Sequence, residues 1–173
     1  WEAFERRVGS YIRSPGAMEE TMLTPERLRE TLRRMSKGSP GADAWTVQEL
    51  RLLPDDILQR FCELFGLFER TGRWPSILAT GLVAPIPKEE GGLQAKDMRP
   101  LTVMSTVYRL WAATRMADVT AWQSTWITEH VASYRPSMGC HDLWWAQGLE
   151  IEHSLLTGED LGGISLDFAK AFD

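Results

Sequence analysis

Cysteine is scarce in this sequence: Cys62 and Cys140 are the only two in 173 residues, with no CxxC pair and no paired histidines nearby. That excludes a disulfide framework and a cysteine-rich zinc site, and leaves buried or reduced free thiols as the expected state. Histidine is equally thin. His130, His141 and His153 show no ligand spacing, and no Ser/His/Asp or Cys/His set suggests nucleophilic catalysis. No apolar run approaches the roughly 18 residues of a membrane span, and no basic-then-apolar leader opens the chain. Positive charge runs out toward the end: residues 1–122 hold 17 basic and 16 acidic side chains, residues 123–173 only 2 against 8. The net charge of −5 argues against a simple basic nucleic-acid-binding module. It leaves room for an enzyme that grips nucleic acid through local basic positions and metal ions.

What is present fits a globular chain. Apolar residues make up 43% and charged residues 25%, which excludes intrinsic disorder. A soluble intracellular protein with no membrane partner is the expectation. The opening Trp1 and the uncapped ending Ala171-Phe172-Asp173 lead to the further expectation that this is a piece of a longer polypeptide whose active site is incomplete here.

Thr24-Pro25 reads as a helix N-cap followed by proline at the first helical position, with Leu28, Leu32 and Met35 at helical spacing. Lys37-Gly-Ser-Pro-Gly-Ala-Asp43 ends that helix as a loop. A short helix over 47–53 follows. Asp55 or Asp56 then caps a longer one with Ile57, Leu58, Phe61, Leu64, Phe65 and Phe68 on one face, stopped by Gly72 and Pro75. Leu82–Ile86 and Arg99–Val103 read as short strands around a Glu89–Gly92 loop, the prolines marking edges or ends. Ser105 caps a helix with Val107, Leu110, Trp111, Thr114 and Ala117 inward, and another covers 140–157 up to Gly158. Ile164, Leu166 and Phe168 alternate with Gly163, Ser165 and Asp167 at the period of a strand. The expected class is α+β, dominated by helices.

Two places could carry chemistry. Asp167, beside the small Gly163 and Ser165, offers a carboxylate with room for a hard cation such as Mg²⁺; a plain strand-end aspartate bonded to nearby amides explains it as well. Lys88 and Arg99 would project from one surface if their strands form a hairpin, a point donor beside a planar fork, as suits a triphosphate. A solvated lysine and a salt-bridged arginine are the bland alternative. Lys37–Asp43 is only a faint phosphate loop, since it lacks the GxxxxGK[ST] form. Most of the eight tryptophans, Trp111 and Trp144 among them, read as core residues at apolar helical positions.

Taken in order, Lys37-Gly-Ser-Pro-Gly-Ala-Asp43, Val83-Ala-Pro-Ile-Pro-Lys88, Arg99-Pro-Leu-Thr-Val-Met-Ser-Thr-Val-Tyr-Arg109, Tyr134-Arg-Pro-Ser-Met-Gly139 and Ser165-Leu-Asp-Phe-Ala-Lys-Ala-Phe-Asp173 resemble a reverse transcriptase domain of the non-LTR retrotransposon and group II intron type. The resemblance spans about residues 24–173 and implies helix-rich fingers with a small antiparallel hairpin, followed by the first strand of a right-hand polymerase palm. It divides the chain into an N-terminal extension (1–23), fingers and the start of the palm (24–160), and a truncated first catalytic palm motif (161–173). In such enzymes Asp167 would hold both catalytic Mg²⁺ ions, Phe168 would offer a backbone carbonyl to one, Phe172 would be the steric gate against a ribose 2′-OH, and Lys88 and Arg99 would hold the incoming dNTP. The implied partners are an RNA template, a DNA primer and dNTP, and the implied reaction is two-metal nucleotidyl transfer. The compartment would be the nucleus if the element is eukaryotic. The family's downstream YADD or FADD pair and its thumb do not occur in this sequence, so the chain alone should be inactive. Where the family has Gly-Phe-Arg-x-Gly-Arg, this chain reads Ser133-Tyr-Arg-Pro-Ser-Met138. Two other readings compete: an RNA-dependent RNA polymerase, against which Phe172 argues, and a catalytically dead RNA-binding or scaffold relic of a retroelement.

Overall fold

Thr24 and Pro25 open the first helix as their chemistry dictates. In the computed structural model, which describes residues 15–88, 94–128, 131–133 and 135–167 together with Glu2, Arg6, Arg7 and Gly9, the Thr24 hydroxyl accepts the Arg27 N–H at 3.4 Å. Pro25, with no N–H to lose, takes the first position of α1 (Pro25–Arg34). The far end of α1 is closed from outside, because Arg51 donates to the carbonyls of Leu32 at 2.9 Å and Met35 at 2.8 Å. Arg51 itself ends α2 (Val47–Arg51), which starts behind a reciprocal capping box between Thr46 and Glu49.

Helix α3 (Asp55–Thr71) stops at Gly72, whose φ of 64° is the left-handed conformation that ends helices. Its start corrects the sequence reading. Pro54 holds the cap position without a side-chain bond, and Asp55 sits in the first turn, where it pairs with Arg29. Its buried stripe is Leu58, Cys62, Phe65 and Phe68; Ile57 and Leu64 lie beside it and are exposed. The core gathers this stripe with Leu28, Leu32, Val47, Leu50, Val107 and Leu110. Trp74 adds aromatic contacts, with ring centroids 4.8 Å from Phe68, 5.0 Å from Tyr108 and 4.7 Å from Trp111.

After the short α4 (Ser76–Ala79), β1 (Leu82–Pro87) and β2 (Met98–Val103) pair antiparallel, with Leu82 opposite Val103 and Ile86 opposite Arg99. A single 3₁₀ turn, Ala95–Asp97, precedes β2, and residues 89–93 of the expected loop lie outside the described residues. The Lys88 N–H donates to Asp97 O at 2.8 Å. That bond fixes the phase of the ladder, so Pro85, Pro87 and Pro100 fall on positions whose N–H would point away from the partner strand. The three prolines therefore cost the hairpin no bond. They also leave both of its outer edges short of donors, which discourages a third strand.

Helix α5 (Thr106–Ser124) begins at Ser105, whose hydroxyl accepts the Tyr108 N–H at 3.0 Å. Val107, Leu110 and Thr114 are buried as expected, and Trp111 is half-buried. Ala117 is exposed, and Asp118 is buried in its place. The reason is an ion network: Asp118 accepts from Arg27 at 2.8 Å and from Arg115 at 2.9 Å, and Arg115 grips Glu69 of α3 with bonds of 2.6 and 2.8 Å.

The chain divides into two compact units, Pro15–Gln123 on one side and Trp1–Ser14 with Ser124–Asp173 on the other. In the second, α6 (Cys140–Thr157) ends at Gly158 with φ 73° and has no buried side chain. Trp144 is 72% exposed, which overturns its reading as a core residue. Residues 161–167 form no strand, and Ile164 and Leu166 are exposed. The expected palm strand is therefore not made by the described residues: alternation is a local pattern, whereas a strand needs a partner, and the described residues contain only the β1–β2 sheet. The fold is α+β, helix-dominated with one two-stranded hairpin, and without a polymerase palm among the described residues. No helix of the described residues is long and apolar enough to cross a membrane.

Candidate nucleotide site on the hairpin

Directly opposed residues of an antiparallel pair share a face, and each strand alternates. Arg99 is opposite Ile86, so Lys88, two residues further along, lies on the same face as Arg99 and diagonal to it. Such diagonal neighbours are roughly 7–8 Å apart at the backbone, and both long side chains can converge on one ligand. Both residues are exposed, and neither forms an ion pair among the described residues. Leu82, Ala84, Ile86 and Leu101 complete that face. On the reverse, Val83, Pro85, Met98 and Pro100 line an apolar hollow of about 490 Å³ together with Ala95. Lys88 and Arg99 thus set two positive charges at one end of a face that is otherwise apolar, as is the hollow behind it.

The faint phosphate loop has a different occupation. The Asp43 carboxylate accepts the N–H groups of Thr106 at 3.1 Å and Val107 at 3.0 Å, filling the start of α5 that an anion would otherwise use. Lys37–Asp43 is thus a structural loop. Sequence reading missed the part Asp43 plays, because its partners lie more than 60 residues away and no local spacing marks them.

Asp167 belongs to the other unit, is exposed and has no ion-pair partner among the described residues. Phe168, Phe172 and Asp173 lie outside the described residues. No group of three or more metal-capable side chains forms among the described residues. In the stretch that departs from the family pattern, Arg135 is used locally, donating to Thr128 O at 3.0 Å. Cys62 is buried and Cys140 exposed, and both are free.

No protein-family model matches this chain, and no match to it is found among curated protein sequences.

Proposed function

We propose that the chain is part of an RNA-directed DNA polymerase of a retroelement, in which the β1–β2 hairpin receives the phosphates of an incoming dNTP. The observation that carries this reading is the register that sets Lys88 and Arg99 diagonally on one open face, with no carboxylate partner among the described residues. A flexible ammonium and a planar guanidinium side by side suit a chain of phosphates better than a single carboxylate. The order of the five sequence motifs supports the same reading. Asp167 is the acid proposed to meet Mg²⁺, in company with acids beyond the described residues. Phe172 is proposed to close the space that a ribose 2′-OH would take.

Titration of the chain with dCTP and Mg²⁺, followed calorimetrically, tests the hairpin directly. Lys88→Ala and Arg99→Ala should each weaken binding by about 10- to 100-fold, the equivalent of one charge-assisted hydrogen bond. Binding that survives both substitutions unchanged removes the hairpin from the site. A wild type that binds no triphosphate but does bind RNA would favour the scaffold relic.

A further inference from the structure

The hairpin is open on both sides. Every residue of β1 is exposed, as are Arg99–Thr102 of β2, so packing along the strands does not hold it. Its root is tight instead. A methyl group at Gly81 would stand 2.6 Å from Thr102 Cγ2, and one at Gly41 would stand 2.4 Å from Met104 O and 2.6 Å from Ser105 Cα. The Lys37–Asp43 loop therefore lies against the chain at the point where β2 becomes α5. It is fastened on both sides of Gly41: Arg109 Nη2 donates to Ser39 O at 2.7 Å and to Thr106 Oγ1 at 2.9 Å, and Asp43 takes the first amides of α5. Ala44, the next residue, is held at φ 56°, a left-handed conformation that alanine adopts where its surroundings impose it.

We propose that the Lys37–Asp43 loop is a clamp on the root of the hairpin that sets its pitch over the Pro15–Gln123 unit, and with it the position at which Lys88 and Arg99 meet a phosphate; the second half of this rests on the nucleotide reading above. Gly41 is required by close approach, since any side chain there would displace the Met104–Ser105 backbone. Arg109 is the strap that holds the loop down, and Asp43 is the peg. None of the three touches the ligand, so all are positioning residues.

The test has two arms. Spin labels at Ala84→Cys on β1 and Arg60→Cys on α3, both exposed, are introduced in a Cys140→Ser background that leaves the buried Cys62 in place. With the native loop the inter-label distance distribution should be narrow; in Gly41→Ala and in Arg109→Ala it should broaden or shift by several ångströms while helical circular dichroism is retained. Should Gly41→Ala fail to fold, Arg109→Ala decides alone, because it keeps both Gly41 and the Asp43 cap. An unchanged distribution in the folded variants overturns the clamp. In the second arm, dCTP affinity should fall about tenfold in the same variants, with Lys88 and Arg99 intact, as expected for charged groups held out of place. A moved hairpin with unchanged dCTP affinity overturns the link between clamp and phosphate. Absence of dCTP binding by the wild type overturns the nucleotide reading, and the distance measurement still decides the clamp.

Discussion

If the chain serves in an RNA-directed DNA polymerase as proposed, alanine at Asp167 should abolish DNA synthesis while leaving stability nearly untouched. The two halves of that result come from one observation: Asp167 is exposed and makes no ion pair among the described residues. Surface substitutions of this kind usually change stability by less than about 0.5 kcal/mol. If the carboxylate is a ligand to catalytic Mg²⁺, however, its removal costs several kcal/mol of transition-state stabilisation, a rate loss of about 10³-fold or more. Asp167→Asn sharpens the test, since it keeps the size and one oxygen acceptor but removes the charge, and it should fail nearly as badly. Primer extension on an RNA template, run beside urea unfolding, reads both quantities. Near-normal extension in either variant would strip Asp167 of the metal role. A loss of stability in step with activity would instead mark its carboxylate as one held by nearby amides.

The local punctuation of this fold is written in its sequence. Thr24-Pro25 starts α1, Gly72 and Gly158 end their helices, Ser105 caps α5, and the two proline-marked apolar runs pair as a hairpin. Each of these signals acts within a few residues and needs no knowledge of the rest of the chain. The hairpin register was legible only in part. The sequence indicates two strands, but the Lys88–Asp97 bond is what settles which faces Lys88 and Arg99 share. Everything that depended on a distant partner was illegible. Asp43 looks like a loop aspartate until α5 arrives to be capped. Ile164–Leu166 alternates as a strand does, yet alternation carries no information about whether a neighbouring strand exists to receive it. Trp144 on α6 reads as a core residue for the same reason: helical spacing marks an apolar position, and whether anything covers it depends on the rest of the chain.

The same blindness hid the most consequential polar feature, the network around Asp118, and its removal is expected to cost the Pro15–Gln123 unit a large share of its stability. The Asp118 side chain is only 5% exposed and stands between two guanidinium groups, Arg27 and Arg115. Both arginines also donate to Thr21 O, at 2.7 and 2.6 Å, and Arg115 and Trp111 converge on Glu69. Three segments far apart in sequence, residues 21–27, Glu69 and residues 111–118, are tied at one point. Burial opposes the charge on Asp118, but hydrogen bonds from Arg115, Thr21 and Arg27 outweigh it and hold the carboxyl below its ordinary value. Glu69 is held low chiefly by its hydrogen bond with Arg115, against the opposing effect of burial. Asp118→Ala would leave two arginines facing each other with no acid between them. Breaking a buried ion pair by deleting one partner costs about 3–5 kcal/mol, a large share of the roughly 5–15 kcal/mol that a domain has. The sign of the pH dependence follows from the direction of the shifts. Both folded-state values lie below the unfolded ones, so the network's contribution is fully present above about pH 4–5 and is lost as the pH falls through the lowered values. Wild-type unfolding midpoints in urea should therefore be level near neutrality and drop steeply below about pH 4, whereas those of Asp118→Ala should start lower and fall less. Arg27→Met combined with Asp118→Leu separates charge from packing: replacing the whole pair with apolar side chains should recover much of the loss, because desolvation offsets most of what a buried pair gains. Midpoints for Asp118→Ala that match the wild type at neutral pH would show that Arg115 and Glu69 hold the segments without it. An equally steep acid drop in that variant would place the titrating groups elsewhere.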